Sequence, residues 1–430
     1  METVLPIERT ARPLRYLFLD LNSYFASVEQ QENPELQGKP VAVVPVDADT
    51  TFVIAASYPA KAFGVRCGTI VHEAKKMCPG LQVIPARPAL YVHYHNRVLE
   101  ALETVLPIDE VCSIDEVRFK LIGDEKKPEN AVKIAKKMKR VLAQKIGPCL
   151  TSSIGIAPNG FLSKVATEME KPNGLVVLTA DQLPGRLFDL SLTDFNGVNR
   201  KMAARLGAAG IFSAMDLCTA DRHLLHLAFG SIVGERWWYL LRGFDLSSPK
   251  TKQKSLGHSH VLSPGLRTEQ GCHDILLRLI QKATARLRAE NLRAGSMVVG
   301  VKGYTKSWEQ RVKFATPTQD SIIVTREFQR VWPTRDYVRP MHVGVTYYDL
   351  HETGQYTASL FDEENDRTGL NTAVDRLNQK FGKNSVYLAA VEKVKDRASE
   401  KIAFHKTWLF QEGKGDNVWG PEPAPGLAST

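Results

Sequence analysis

Arg15-Tyr16-Leu17-Phe18-Leu19-Asp20-Leu21 is the stretch from which the rest of the chain can be read. Its apolar run predicts a buried strand, and Asp20 near the end places a carboxylate at the strand terminus. A second β pattern spans residues 110–121 (EVCSIDEVRFKL), where Val117, Phe119 and Leu121 alternate with Arg118 and Lys120. Its polar turn carries Asp115 and Glu116. A buried carboxylate cluster is costly unless a cation neutralises it. Hard oxygen ligands suit Mg²⁺, which bridges protein carboxylates and phosphates. Two such ions about 3.5–4 Å apart activate a hydroxyl and stabilise a leaving pyrophosphate. On residue types alone, Asp115-Glu116 reads as an ordinary exposed turn.

Working outward, residues 39–46 and 51–56 are Val- and Ile-rich β candidates. Residues 130–146 turn helical, with Val132, Ala135, Met138, Leu142 and Ile146 on one face and Lys133, Lys136, Lys137 and Arg140 on the other. This mixture predicts an α+β core up to about residue 178. A helical section follows over residues 183–244, with a turn at 196–199, then a polar linker at 245–255 (DLSSPKTKQKS). Residues 274–291 predict an amphipathic helix, with Ile275, Leu279, Ala283 and Leu287 inward and Arg278, Lys282, Arg286 and Arg288 outward. Strand patterns at 297–304, 310–315 and 341–347 complete a second, smaller α+β domain. The tail offers one more helix, at 369–381, before a Pro/Gly-rich end expected to fray.

Composition narrows the classes. At 430 residues, 43% hydrophobic and 24% charged, the chain is multidomain and not wholly disordered. Its net charge is +9, and residues 251–350 hold 16 Lys and Arg against 8 Asp and Glu. That block is an electrostatic footprint for a polyanion, or a solvated surface without a partner. No apolar run approaches the ~18–20 residues of a membrane span, and no secretory signal is expected at the start. Six scattered cysteines without a CxxC pair fit reduced thiols in the cytoplasm.

Four ordered motifs add to these patterns. Asp20-Leu21-Asn22-Ser23-Tyr24-Phe25-Ala26-Ser27-Val28-Glu29 resembles the first signature of Y-family, translesion DNA polymerases (the impB/mucB/samB family). Ser113-Ile114-Asp115-Glu116 resembles the second, at the family's usual distance. Ser57-Tyr58-Pro59-Ala60-Lys61-Ala62-Phe63-Gly64-Val65-Arg66 resembles its fingers segment, and Lys171-Pro172-Asn173-Gly174 its palm closure. The similarity runs from about residue 15 to about residue 350, nearest the group with DNA polymerase IV and the catalytic subunit of polymerase V.

The resemblance implies a right-hand polymerase. Its palm would be residues 15–24 and 88–178, its fingers 25–87 and its helix–hairpin–helix thumb 179–246. A linker at 247–256 would lead to an α+β little finger at 257–352. An N-terminal extension (1–14) and a C-terminal tail (353–430) would flank them. Asp20, Asp115 and Glu116 would bind two Mg²⁺ ions, or Mn²⁺ in their place, with the Leu21 carbonyl as a further ligand. Phe25 would be the steric gate that excludes a 2′-hydroxyl. Tyr58, Lys61 and Lys171 would contact the triphosphate. Lys164 would be either a further phosphate-side cation or a solvated lysine. Asn22 departs from the commoner Asp, and Lys61 from the commoner Arg, exchanging a bidentate fork for a point charge.

In the thumb, Gly197 and Asn199 would present a backbone turn to a DNA phosphate. Lys254, Arg278, Arg286, Lys302, Arg311 and Lys313 are the DNA-contact candidates of the basic block, with Arg288 and Lys306 beside them. Residues 357–361 (TASLF) resemble a sliding-clamp docking peptide with Leu360 and Phe361 as anchors, although the usual leading Gln is missing. Residues 375–382 are similar to the tail of polymerase V-type subunits and imply a protein contact whose partner the sequence does not name; accessory mutagenesis subunits are among the partners the family resemblance implies. The resemblance therefore implies primer–template DNA, deoxynucleoside triphosphates and a clamp as partners, and a role in DNA-damage repair and SOS mutagenesis. The alternative is a non-catalytic accessory protein that keeps the fold; a different metal-dependent nucleotidyl transferase would leave Phe25 and the fingers motif without a role.

Overall fold

The computed structural model describes residues 12–246, 253–353, 367–382 and 384–395. These fall into two compact units, residues 12–44 and 52–246 in one, and 45–51 with the residues from 253 onward in the other. Both mix helices and sheets, the α+β class expected.

The first unit runs β1 (Tyr16–Leu21), α1 (Tyr24–Glu32), β2 (Val41–Val44), β3 (Ala55–Ala56), α2 (Tyr58–Ala62), α3 (Val71–Met77), β4 (Gln82–Pro85), α4 (Pro88–Glu103), β5 (Ile108–Val111), β6 (Glu116–Lys120), α5 (Pro128–Lys145), β7 (Ser152–Ala157), α6 (Gly160–Met169) and β8 (Leu175–Val177). Four short helices follow: α7 (Arg200–Ala208), α8 (Ala214–Thr219), α9 (Arg222–Phe229) and α10 (Ile232–Leu240). The main sheet has the order β5-β6-β1-β7-β8, so β1 is its central strand, antiparallel to both neighbours. Being covered on both faces, β1 must be apolar throughout, which is why Leu17 and Leu19 are fully buried and why Asp20 stands out. α5 lays Ala131, Ala135, Met138 and Leu142 on the core and keeps Lys133, Lys136 and Lys137 exposed, as its periodicity predicts.

α6 rests unusually close to β7. A Cβ at Gly155 would come within 2.1 Å of the Ser163 carbonyl, so only glycine permits the approach that brings α6 over the end of β1. A smaller sheet, β3-β2-β4, packs a separate core of Ala42, Val53, Ala60, Val65, Ala74 and Cys78. The β pattern at 51–56 yields only the two-residue β3. The turn at 196–199 is preceded by a single 3-10 turn (Leu192–Asp194) rather than a helix.

The second unit contains β9 (Ser255–Val261), α11 (Glu269–Ala289), β10 (Leu292–Lys306), β11 (Trp308–Thr318), α12 (Ser321–Val331), β12 (Val338–Glu352) and α13 (Thr368–Phe381). Its sheet order is β11-β10-β12-β9. Two linker residues of the sequence reading, Ser255 and Leu256, are instead the start of β9, paired with Tyr348 and Tyr347. The expected outward placement of Arg288 is also wrong. Its guanidinium donates to both carboxylate oxygens of Asp375 (2.6 and 2.8 Å), the Gln319 carbonyl and Ser321 Oγ. It fastens α13 to α11. Beyond α13, a 3-10 turn (Ala389–Val394) sets Val391 and Val394 into the same core; the Pro/Gly-rich end expected to fray lies outside the described residues. Among the described residues no helix is long and apolar enough to cross a membrane.

Candidate active site

The register of the central sheet builds the site. Asp20 on β1 and Glu116 on β6 are direct cross-strand partners, and the Leu21 N–H donates to the Asp115 carbonyl at 2.9 Å. Two residues from one strand end and two from the adjacent turn are thereby locked together. Side chains directly opposite on an antiparallel pair have Cβ atoms about 5 Å apart, so two carboxylates there repel unless a cation intervenes.

Lysines intervene. Lys164 on α6 contacts Asp20 Oδ2, Glu116 Oε1 (2.9 Å) and Glu168 Oε1 (2.9 Å), with only 12% of its side chain exposed. Lys171 donates to Asp20 Oδ1 (3.0 Å) and to Glu168 (2.8 Å). Burial works against the charge on Lys164, yet Asp20, Glu116 and Glu168 together hold its ammonium well above the ordinary lysine value. Glu168 is held low, its own desolvation outweighed by Lys164 and Lys171. Lys164 is not the solvated lysine that is one of its two expected placements: in this structure it is an internal counter-ion. Glu168 was not singled out from the sequence, because an i,i+4 Lys–Glu pair ordinarily marks a solvated helix face.

Asp115 keeps some surface open but is enclosed by protein. That desolvation, followed by the nearby Asp20 charge, lifts its carboxyl to about 6, while Ser113 Oγ donating at 2.6 Å acts the other way. The turn is held from beneath by His95. Its Nδ1 lies 2.7 Å from the Ile114 carbonyl, an acceptor only, so Nδ1 carries the proton. Burial lowers this imidazole to about 4.

The donor set is entirely oxygen and carries surplus negative charge. Asp20, Asp115, Glu116 and Glu168 face two directly paired lysines. That chemistry fits hard divalent ions. Even so, among the described residues no three His, Cys, Asp or Glu side chains stand in the spacing of a closed metal cage. The carboxylates surround an ammonium instead.

The other expected site residues converge on the same place. Burial, then the Asp20 and Glu168 charges, pushes the Tyr58 phenol up to about 12. Lys61 lies over the Tyr58 ring at 4.4 Å and is lowered by burial and by its neighbour Lys171. Ser23 takes a left-handed conformation (φ 49°), uncommon outside glycine, and turns β1 directly into α1. Phe25 in the first turn of α1 is therefore only five residues from Asp20, partly exposed and stacked on Tyr91. Asn22 is buried. Its Nδ2 donates to Ser153 Oγ (3.0 Å), and its Oδ1 accepts from Thr151 Oγ1 (3.2 Å) and the Asn173 N–H (2.8 Å). It ties down the loop that carries Lys171 rather than offering a ligand.

Away from this cluster, Gly197 has φ +101°, and Asn199 caps α7 by accepting from the Met202 N–H at 2.9 Å. Lys254, Lys302, Arg311 and Lys313 are exposed, whereas Arg286 pairs with Glu290 at 2.8 Å and Arg278 is half-buried. Lys302, Arg311 and Lys313 lie on β10 and β11 on the side of the sheet away from α11. Leu360 and Phe361 lie outside the described residues.

The profile of the impB/mucB/samB family matches residues 19–168, and that of its C-terminal domain matches residues 253–360. DNA polymerase IV of Moorella thermoacetica is 30% identical over 87% of this chain and 95% of its own length. DNA polymerase IV 1 of Bacillus subtilis is 29% identical over 92% and 97%. A Y-family DNA polymerase chimera (Dbh-Dpo4-Dbh) superposes with a TM-score of 0.65 at 23% identity, over 79% of this chain and 99% of its own. Fold and profiles together define a Y-family polymerase. The chain belongs to the impB/mucB/samB family.

Proposed function

We propose that this DNA-directed DNA polymerase carries out low-fidelity translesion synthesis, adding deoxynucleotides to a primer at the Asp20–Asp115–Glu116 cluster. The observation that carries the reading is the cross-strand pairing of Asp20 with Glu116, with Asp115 tied to Leu21. The three carboxylates and the Leu21 carbonyl would hold two Mg²⁺ ions, or Mn²⁺. Bound there, such ions supply Lewis acidity to the primer hydroxyl and neutralise charge on the leaving pyrophosphate.

The chain's own groups position the substrate. Tyr58 donates a hydrogen bond to the triphosphate, because a phenol raised to about 12 stays protonated at neutral pH. Lys61 and Lys171 add point charges beside it. Phe25 lies beneath the sugar and leaves no room for a 2′-hydroxyl. In this reading residues 15–24 and 88–178 are the palm, 25–87 the fingers, 179–246 the thumb and 257–352 the little finger. Lys254, Lys302, Arg311 and Lys313, with Arg278 and Arg286, meet DNA phosphates, and the turn at Gly197 and Asn199 offers a phosphate its backbone N–H groups. Leu360 and Phe361 dock on a sliding clamp, with accessory mutagenesis subunits as further partners.

The test is primer extension by the purified chain on intact and lesion-bearing templates. Asp115→Ala and Glu116→Ala should abolish Mg²⁺-dependent extension while DNA binding stays within a few-fold. Undiminished extension by either variant overturns the site assignment.

A further inference from the structure

A ring that excludes a hydroxyl must be unable to retreat. The group it rejects is one oxygen atom, so a recession of about one ångström would admit it. Phe25 sits at the exposed edge of the core in the first turn of α1, where its own backbone does not fix the depth of its ring. What lies behind it does. The ring is stacked flat on Tyr91, with centroids 4.5 Å apart and planes inclined by 19°.

Tyr91 is built as a fixed plate. It is 1% exposed on α4, one turn beyond the helix start. Its phenol donates to Glu29 Oε1 at 2.7 Å, and Glu29 is itself buried and gripped by Arg87 through Nε (3.1 Å) and Nη2. Its backbone carbonyl accepts from the Tyr24 hydroxyl at 2.6 Å. Phe25 and Glu29 are four residues apart on one face of α1, as are Arg87 and Tyr91 at the start of α4. The two pairs close a ring of contacts: aromatic stack at one end, charged hydrogen bonds at the other.

We propose that Tyr91 is a positioning residue for sugar discrimination: a rigid backing that fixes the depth of the Phe25 ring, with Glu29 and Arg87 holding it in place. The proposal rests on Phe25 being the gate. Without the plate, the Phe25 ring recedes into the space Tyr91 leaves, and a ribose 2′-hydroxyl gains room.

The test is single-nucleotide insertion by the full chain, comparing kcat/KM for a deoxynucleotide and the matching ribonucleotide. Phe25→Ala should remove most of the discrimination. Tyr91→Leu should lower it by about 3- to 10-fold, the range that losing one aromatic stack allows. The change should come from improved ribonucleotide insertion. Tyr91→Phe keeps the ring and should keep most of the selectivity, and Phe25→Ala with Tyr91→Leu should be no less selective than Phe25→Ala alone. Tyr91→Met, which fills the space without a flat surface, should behave like Tyr91→Leu and serves if the smaller side chain compromises folding.

If Phe25→Ala relaxes selectivity while folded Tyr91→Leu and Tyr91→Met retain it, the backing role is wrong and the gate stands. If both sugars lose insertion equally in the Tyr91 variants, Tyr91 is merely structural and the proposal fails. If Phe25→Ala leaves selectivity unchanged, the gate itself is wrong and the proposal falls with it.

Discussion

Asp20 and Glu116 face each other across the β1–β6 ladder, and the Lys164 ammonium lies between them. The arrangement explains how this carboxylate cluster can fold with no metal bound. Removing the shared cation leaves Glu116 without its partner and Asp20 with Lys171 alone.

Lys164→Met is accordingly expected to destabilise the metal-free protein by about 3 kcal/mol, in the range for breaking a buried pair. Magnesium should raise the melting temperature of the variant more than that of the unaltered chain, since it then neutralises charge that Lys171 alone leaves unbalanced. Thermal denaturation in chelator and in graded Mg²⁺ measures both. Equal melting temperatures and equal metal responses would contradict the counter-ion role.

Asn22→Ala should cost about 2 kcal/mol, from three lost hydrogen bonds partly replaced by water. Because one of those bonds anchors Asn173, and Lys171 is two residues away, the nucleotide KM should rise more than kcat falls. Asn22→Asp should retain the bonds, since Ser153, Thr151 and the Asn173 N–H can each donate to a carboxylate. Steady-state kinetics beside calorimetry check this; a selective loss in kcat would argue against it.

Arg288→Ala should release α13 and lower the stability of the second unit by about 2 kcal/mol. Its effect on the salt dependence of DNA binding should be nil. Lys313→Ala or Lys302→Ala should do the reverse, leaving stability alone and flattening the salt slope by about one ion each. Binding titrations at several salt concentrations separate the two classes, and a reduced slope for Arg288→Ala would return that residue to the DNA surface.

Two histidines, His95 fully buried and His258 half-buried, predict acid sensitivity. Burial lowers His95 from 6.5 to about 4; burial, with Lys282, Arg286 and Arg278 nearby, lowers His258 from 6.5 to about 3. Each folded-state value lies below the unfolded one, so the unfolded chain binds the proton first. The stabilisation is complete above pH 6.5 and drains away as pH falls towards 4, at up to about 1.4 kcal/mol per pH unit and histidine. His95→Gln should flatten that slope in the first unit and His258→Gln in the second. Denaturant midpoints between pH 7.5 and 4.5 provide the measurement, and unchanged slopes would refute the burial of a neutral ring.

Much of this was legible beforehand because strand alternation leaves a plain record. Leu17, Leu19, Val117 and Phe119 point inward as written, and the ordered motifs around them located Asp20, Asp115, Glu116, Tyr58, Lys61 and Lys171, which the fold then gathers. What escaped depends on packing between distant elements. Lys164 and Glu168 turn inward only because Gly155 lets α6 settle on the sheet. β9 (SLGHSHV) has little intrinsic strand character and is defined by its partner β12. Arg288 reads as a surface cation until Asp375, far along the chain, is brought against it.

That last contact makes α13 an integral layer of the second unit and not an appendage. Asp375 meets Arg288 from 87 residues further along the chain, through two parallel hydrogen bonds. A chain truncated ahead of residue 368 would strand a guanidinium, 11% exposed, with no carboxylate opposite it. Trimming α13 is therefore not a neutral edit: it would unseat a cation planted in the last turn of α11.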